Sequence, residues 1–117
     1  MLLGAYTAEM LATLTALAEP NRLRIVELLR GKPHAVGAIG DRLGLAQPQV
    51  SKHLRVLRAA GLVEVAPRAQ QRLYALRAEP FTELDRWLEP YRRYWSDRLD
   101  ALERHLDRMD KPRRRSR

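Results

Sequence analysis

A mainly α-helical domain carrying one β-hairpin is predicted by three features of the sequence. Apolar residues recur at steps of three and four over most of the chain. Strand-like alternation is confined to residues 62–77, where a polar turn splits it in two. The 117 residues, 45% of them apolar, suit one compact domain that buries a core without staples.

Tyr6, Met10, Leu14 and Leu17, with Leu11 beside them, predict a first helix over about residues 7–18. Pro20 separates it from a strongly apolar second helix containing Leu23, Ile25, Val26, Leu28 and Leu29, which Gly31 should end by αL capping and Pro33 by its missing donor. Val36, Ile39 and Leu43 carry the period into a short third helix, with Gly44 placed for an αL turn. A fourth helix is expected over residues 47–60, with Pro48 tolerated in its first turn and Gly61 stopping it. Leu62, Val63 and Val65, then Leu73, Tyr74 and Leu76, flank a polar turn at 68–71 and read as a two-stranded hairpin. From Pro80 a fifth helix should run to about Met109, with Pro90 kinking or dividing it. The domain is therefore expected to span residues 1–110, and the basic segment 111–117, which has no apolar residue, to be a disordered tail.

Composition removes several function classes. There is no cysteine, which excludes disulfides, thiolate metal centres, thiol redox sensing and cysteine nucleophiles. No apolar run approaches the ~18 residues that cross a bilayer, and the Met-Leu-Leu-Gly start lacks the basic region of a signal peptide, so a cytoplasmic protein without a membrane partner is expected. The net charge of +8 is unevenly spread: residues 41–77 carry seven basic and two acidic side chains, whereas residues 78–110 carry six and nine. A concentrated basic region points to a polyanion, and nucleic acid suits it better than an anionic membrane because the region is not an amphipathic Lys/Arg helix.

Residues 36–65, VGAIGDRLGLAQPQVSKHLRVLRAAGLVEV, hold a helix-turn-helix signature: a short helix, a turn glycine, and a second helix with one apolar face. At about 100° per residue, Val50, Leu54 and Leu57 share one face, and Pro48, Ser51, Lys52 and Arg55 lie opposite. Lysine and arginine donate to guanine O6 and N7 and glutamine pairs with adenine, so this polar face suits a major groove, with Gln47 and Gln49 as further base-edge candidates. Arg68, Gln70, Gln71 and Arg72 at the hairpin tip form a wing suited to phosphate or minor-groove contact. The expected fold is thus a winged helix-turn-helix of five helices, with a two-stranded wing between the fourth and fifth.

The segments LTALAEPNRLRIVELL (14–29), QPQVSKHLRVLRAAGLV (47–63) and RLYAL (72–76) strongly resemble the ArsR/SmtB family of winged-helix bacterial repressors. The resemblance covers about residues 7–77 and implies a homodimer that binds a pseudo-palindromic, double-stranded DNA operator and pairs its subunits through the first and last helices. Ala46 stands where the family usually has a serine N-cap, and Ala69 where the wing commonly has glycine. Metal-responsive members carry third-helix cysteines or His/Asp/Glu sets across the last helices. The first are absent here, and Asp97, Asp100, Glu103, His105 and Asp107 read as a solvated acidic face, because His105 lies on a different flank from Asp100 and Asp107. No metal and no cofactor is expected. Residues 86–106, RWLEPYRRYWSDRLDALERHL, resemble a metal-independent branch of the family.

Leu84, Leu88, Tyr91, Trp95, Leu99, Leu102 and Leu106 form one stripe, which Trp87, Tyr94 and His105 widen. A helix that packs on its own domain and on a second subunit needs that width, so the dimer interface is assigned to Tyr6, Met10, Leu14, Leu88, Tyr91, Trp95, Leu99 and Leu102. An aromatic pocket for a small-molecule effector is another use of the stripe, and a protein effector is also open. An enzyme is not expected: Ser51 and His53 face different directions, Ser96 has no histidine within a turn, and there is no phosphate-binding glycine loop. The alternative function is an architectural or low-specificity nucleic-acid-binding protein using the same basic surfaces. His53 matches the family's SKHL position and is expected to pack at the edge of the fourth helix.

Overall fold

The computed structural model describes residues 2–68 and 70–115, with side chains from residue 8 to residue 110 apart from residue 69. The elements in order are α1 (Leu2–Leu17), α2 (Pro20–Gly31), β1 (His34–Ala35), α3 (Val36–Leu43), α4 (Gln47–Ala59), β2 (Val63–Arg68), β3 (Gln71–Leu76) and α5 (Ala78–Arg115). The chain divides into two units, Met1–Glu83 and Leu84–Arg117.

In the first unit, Ile25, Val26 and Leu29 of α2 meet Ile39 of α3, Val50, Leu54 and Leu57 of α4, and Leu62 and Val63, all buried. These are the positions that the 3.6-residue period places on inward faces. Leu17, Tyr74, Leu76 and Phe81 close the cluster from its rim, so the first turn of α5 belongs to this core. The helix ends are tied by the chain's own arginines. Arg22 donates to the Ala16 carbonyl at 2.7 Å, and Arg24 to the Leu43 carbonyl at 2.9 Å, satisfying carbonyls that the ends of α1 and α3 leave unpaired. Two basic side chains of the sequence are thereby committed to structure rather than to a partner.

Two expectations about the first unit are corrected by the structure. The sheet has three strands, not two, in the order β1-β3-β2: His34 pairs with Tyr74 and Ala35 with Leu73, beside the expected hairpin. A two-residue strand is too short to show alternation. Gly31 is the last residue of α2 and is not left-handed; the helix stops because Lys32, ahead of Pro33, is extended at φ −171° and ψ 164°. His34 is buried in this strand, its Nδ1 2.8 Å from the Lys32 carbonyl oxygen.

The second unit is the remainder of α5. Pro90 does not divide it. The proline removes one donor, and Arg92 bridges the turn before it, donating to the Asp85 carbonyl at 3.1 Å and to the Asp85 and Glu89 carboxylates at 3.0 and 2.8 Å. The hydrogen bond and charge of Arg92, with Arg93 adding to them, hold the Glu89 carboxyl below its ordinary value. The helix is continuous through Lys111 to Arg115, within the basic segment that the sequence sets apart as a tail. The end of that expected tail, Ser116 and Arg117, lies outside the described residues.

Along this helix Leu88, Tyr91, Trp95, Leu99, Leu102, Leu106 and Met109 are 40–61% exposed. Trp87 leans on Tyr91 with ring centroids 5.0 Å apart, and Tyr94 meets Trp95 edge-on at 5.4 Å with Arg98 over its ring. Among the described residues no helix is long and apolar enough to cross a membrane.

Candidate nucleic-acid interface

The turn between α3 and α4 sets the angle of the outer helix. Gly44 adopts φ 69° and ψ 34° and its amide returns to the Gly40 carbonyl, as does the amide of Leu45 at 3.0 Å. Gly40 makes this closure possible: a Cβ there would lie 2.8 Å from the Leu45 carbonyl oxygen. Ala46 begins α4 without a side-chain cap, and Gln49 partly compensates by accepting from the Ala46 amide at 3.2 Å. Ala46→Ser supplies the missing acceptor and is expected to stabilise the fold by about 1 kcal/mol. A thermal melt checks this, and an unchanged midpoint contradicts it.

The outward side of α4 carries Gln47, Pro48, Gln49, Lys52 and Arg55, all exposed, as the sequence anticipates. Ser51 is half-buried and lies in a groove of about 370 Å³ with Leu54, Arg55, Arg58, Ala59 and Tyr74. Sequence reading overlooks Arg58, although Ser51, Arg55 and Arg58 at i, i+4 and i+7 share one helix face. Lys52, Arg55, Arg58, Arg68 and Arg72 form no ion pair with any described residue. With only Asp41 and Glu64 as acids between residues 41 and 77, this side of the domain presents uncompensated positive charge.

The wing is a tight hairpin in which Arg68 pairs with Gln71 and Pro67 with Arg72. Directly opposed residues share a face and neighbours alternate, so the two arginines lie on opposite faces. Arg72 continues the face of Tyr74 and Leu76, which packs on the core; Arg68 and Gln71 share the other. Gln70 is exposed at the turn, and Ala69 lies outside the described residues. His53 packs at the edge of α4 as expected, its Nε2 3.6 Å from the Glu19 carboxylate that caps α2.

The residues expected at a dimer interface are divided. Leu14 is 40% exposed, and Leu88, Tyr91, Trp95, Leu99 and Leu102 lie on the exposed stripe of α5, but Met10 is only 6% exposed and offers no surface to a second subunit. The side chain of Tyr6 lies outside the described residues. Met10 and Leu14 share a helix face by spacing alone. Which of them is covered depends on packing that periodicity does not encode.

Comparison with known proteins agrees with this geometry. A helix-turn-helix domain family matches residues 17–66. The HTH-type transcriptional regulator Rv2034 of Mycobacterium tuberculosis is 36% identical over 92 residues, covering 79% of this chain and 83% of that protein. The structure of an ArsR-like transcriptional regulator from Rhodococcus sp. RHA1 superposes with a TM-score of 0.69 at 28% identity, over 86% of this chain and 94% of that one. That of the homodimeric winged helix-turn-helix DNA-binding domain of Mb0332 from Mycobacterium bovis gives 0.61 at 25% identity, over 90% and 88%. On its fold, the geometry of its outer helix and its similarity to these proteins, this chain belongs to the ArsR/SmtB family of helix-turn-helix transcriptional regulators.

Proposed function

We propose that the protein is a homodimeric repressor that reads a pseudo-palindromic operator by placing α4 of each subunit in a major groove and the β2–β3 wing at the adjacent minor groove. The observation that carries this reading is the outward face of α4: a rigidly seated helix whose buried side anchors it and whose exposed Gln47, Lys52 and Arg55, with the amide nitrogen of Gln49, have hydrogen-bonding capacity for base edges. Repression follows from occupancy, since a protein seated over a promoter excludes other proteins from it. A catalytic reading has no such support, because Ser51 lines the α4 groove while His53 is turned towards Glu19, so neither activates the other. Its place of action, on this reading, is the cytoplasm.

Footprinting on the promoter of its own gene tests the reading. Protection of two half-sites with centres about 10 base pairs, or a multiple of that, apart is expected. Uniform coating without a preferred site indicates an architectural protein instead.

The regulator is also proposed to act independently of metals. The chain has no thiolate ligand, and among the described residues no three His, Asp or Glu side chains are gathered to hold an ion. Operator affinity in mobility-shift assays is expected to be the same with chelator and with micromolar zinc, cadmium or arsenite. A tenfold loss on adding zinc contradicts this and directs attention to the acidic face of α5.

A further inference from the structure

We propose that the groove between α4 and β3 is a clamp for one DNA phosphodiester, with Arg58 as its cation and the hydroxyls of Ser51 and Tyr74 as its orienting groups. The inference rests on the operator-binding reading and adds to it residues that the base-reading face of α4 does not include.

A helix in the major groove and a wing at the next minor groove straddle the one sugar-phosphate strand that separates those grooves, so that strand passes over the surface between helix and wing. Here that surface is a groove rather than a ridge, lined by Ser51, Leu54, Arg55, Arg58, Ala59 and Tyr74. Its floor is built: Leu54 is in the core, and Tyr74 is half-buried against the same core and fixed on β3 between its partners Val65 and His34. Its polar groups are unspent. The hydroxyls of Ser51 and Tyr74 have no hydrogen-bond partner among the described residues, and Arg55 and Arg58 have no carboxylate. Arg72, two residues before Tyr74 on the same face of β3, extends the positive charge towards the wing tip.

Two neutral hydroxyls and a guanidinium with open donors are what a phosphodiester requires: a bidentate cation for its anionic oxygens and short hydroxyl donors to fix their direction. The same set suits a base edge poorly. Ser51 and Tyr74 are recessed, and Arg58 sits in the last turn of α4, away from the helix start where base contacts are made.

A phosphate contact carries no sequence information, and this sets the test. Arg58→Gln, Arg58→Lys and Tyr74→Phe are compared with the wild-type protein on the footprinted operator and a panel of its single-base variants, over a series of salt concentrations. Arg58→Gln is expected to weaken binding about tenfold on every duplex and to leave their ranking unchanged. It is also expected to lower the salt slope by about 0.9 per subunit, while Arg58→Lys retains the slope. Ethylation of one phosphate per half-site, between the major-groove and minor-groove footprints, should interfere with the wild type and no longer with Arg58→Gln. Tyr74→Phe should weaken binding without altering the slope. An Arg58→Gln protein with an unchanged slope, or with a reordered panel, overturns the clamp while leaving the operator-binding reading intact. A wild-type protein that shows no preference within the panel overturns the operator-binding reading, whatever its salt slope.

Discussion

Trp95→Glu combined with Leu99→Glu is expected to turn the protein into a monomer and to weaken operator binding by more than about a hundredfold. Both side chains stand on the outer stripe of α5, 58% and 60% exposed, in a run of large apolar residues continuing to Met109. A single solvated helix does not ordinarily expose such a stripe, and a second copy of it is the self-complementary surface that a two-fold dimer uses. The loss of affinity follows because joining two reading heads makes the second binding event intramolecular, at an effective concentration in the millimolar range. Far-UV circular dichroism of the variant should keep the helical content of the wild type, while its thermal midpoint should fall and lose its dependence on protein concentration, because pairing stabilises the folded subunits by mass action. Sedimentation at micromolar concentration checks the first half of the result. A wild-type protein that already runs as a monomer contradicts it.

Gly40→Ala is expected to lower the stability of the fold by about 1–3 kcal/mol. The new Cβ would meet the Leu45 carbonyl oxygen at 2.8 Å, and that atom is backbone, held by the turn that orients α4. Relief requires the α3–α4 turn to open, which breaks the 3.0 Å bond from the Leu45 amide to the Gly40 carbonyl and tilts the outer helix. For a domain of this size each kcal/mol corresponds to a drop of about 4–8 °C in Tm. Gly37→Ala is the control: no atom lies within 4 Å of its added Cβ, and in a helix alanine is favoured over glycine by about 0.5–1 kcal/mol. Thermal melts of the two variants should therefore move in opposite directions, and a Gly40→Ala protein as stable as the wild type contradicts the close-approach role.

The helices that form the reading head are legible in the sequence because they are short, strongly periodic and punctuated by residues with specific backbone demands. Gly44 and Gly61 take the positive φ angles their positions suggest, and Val50, Leu54 and Leu57 are buried as their spacing requires. What sequence does not show is of three kinds. The strand His34–Ala35 exists only through pairing with β3, a non-local contact that two residues cannot announce. Pro90 remains within a helix, and Arg92 ties the turn before it by reaching back seven residues to the Asp85 carbonyl, a contact that propensity does not include. Met10 and Ser51 differ from expectation, and Arg58 is overlooked, because helical periodicity gives a face but not what covers it: Met10 is buried, Ser51 recedes into a groove, and Arg58 joins it there. The wing offers the same lesson, since Arg68 and Arg72 are equivalent in sequence and lie on opposite faces once the register is known.

The claim that α4 reads bases is tested most directly by measuring Gln49→Ala, Lys52→Ala and Arg68→Ala against one panel of operator variants at two salt concentrations. Gln49 and Lys52 project from the exposed side of α4, so their removal should cost about 1–3 kcal/mol on the operator and relax preference at particular base pairs, a change in ranking that persists at both salts. Arg68, on the outer face of the wing, should weaken all members of the panel alike and lower the salt dependence. If the Gln49 and Lys52 variants leave the ranking of the panel as it is in the wild type, α4 is not the element that reads the operator.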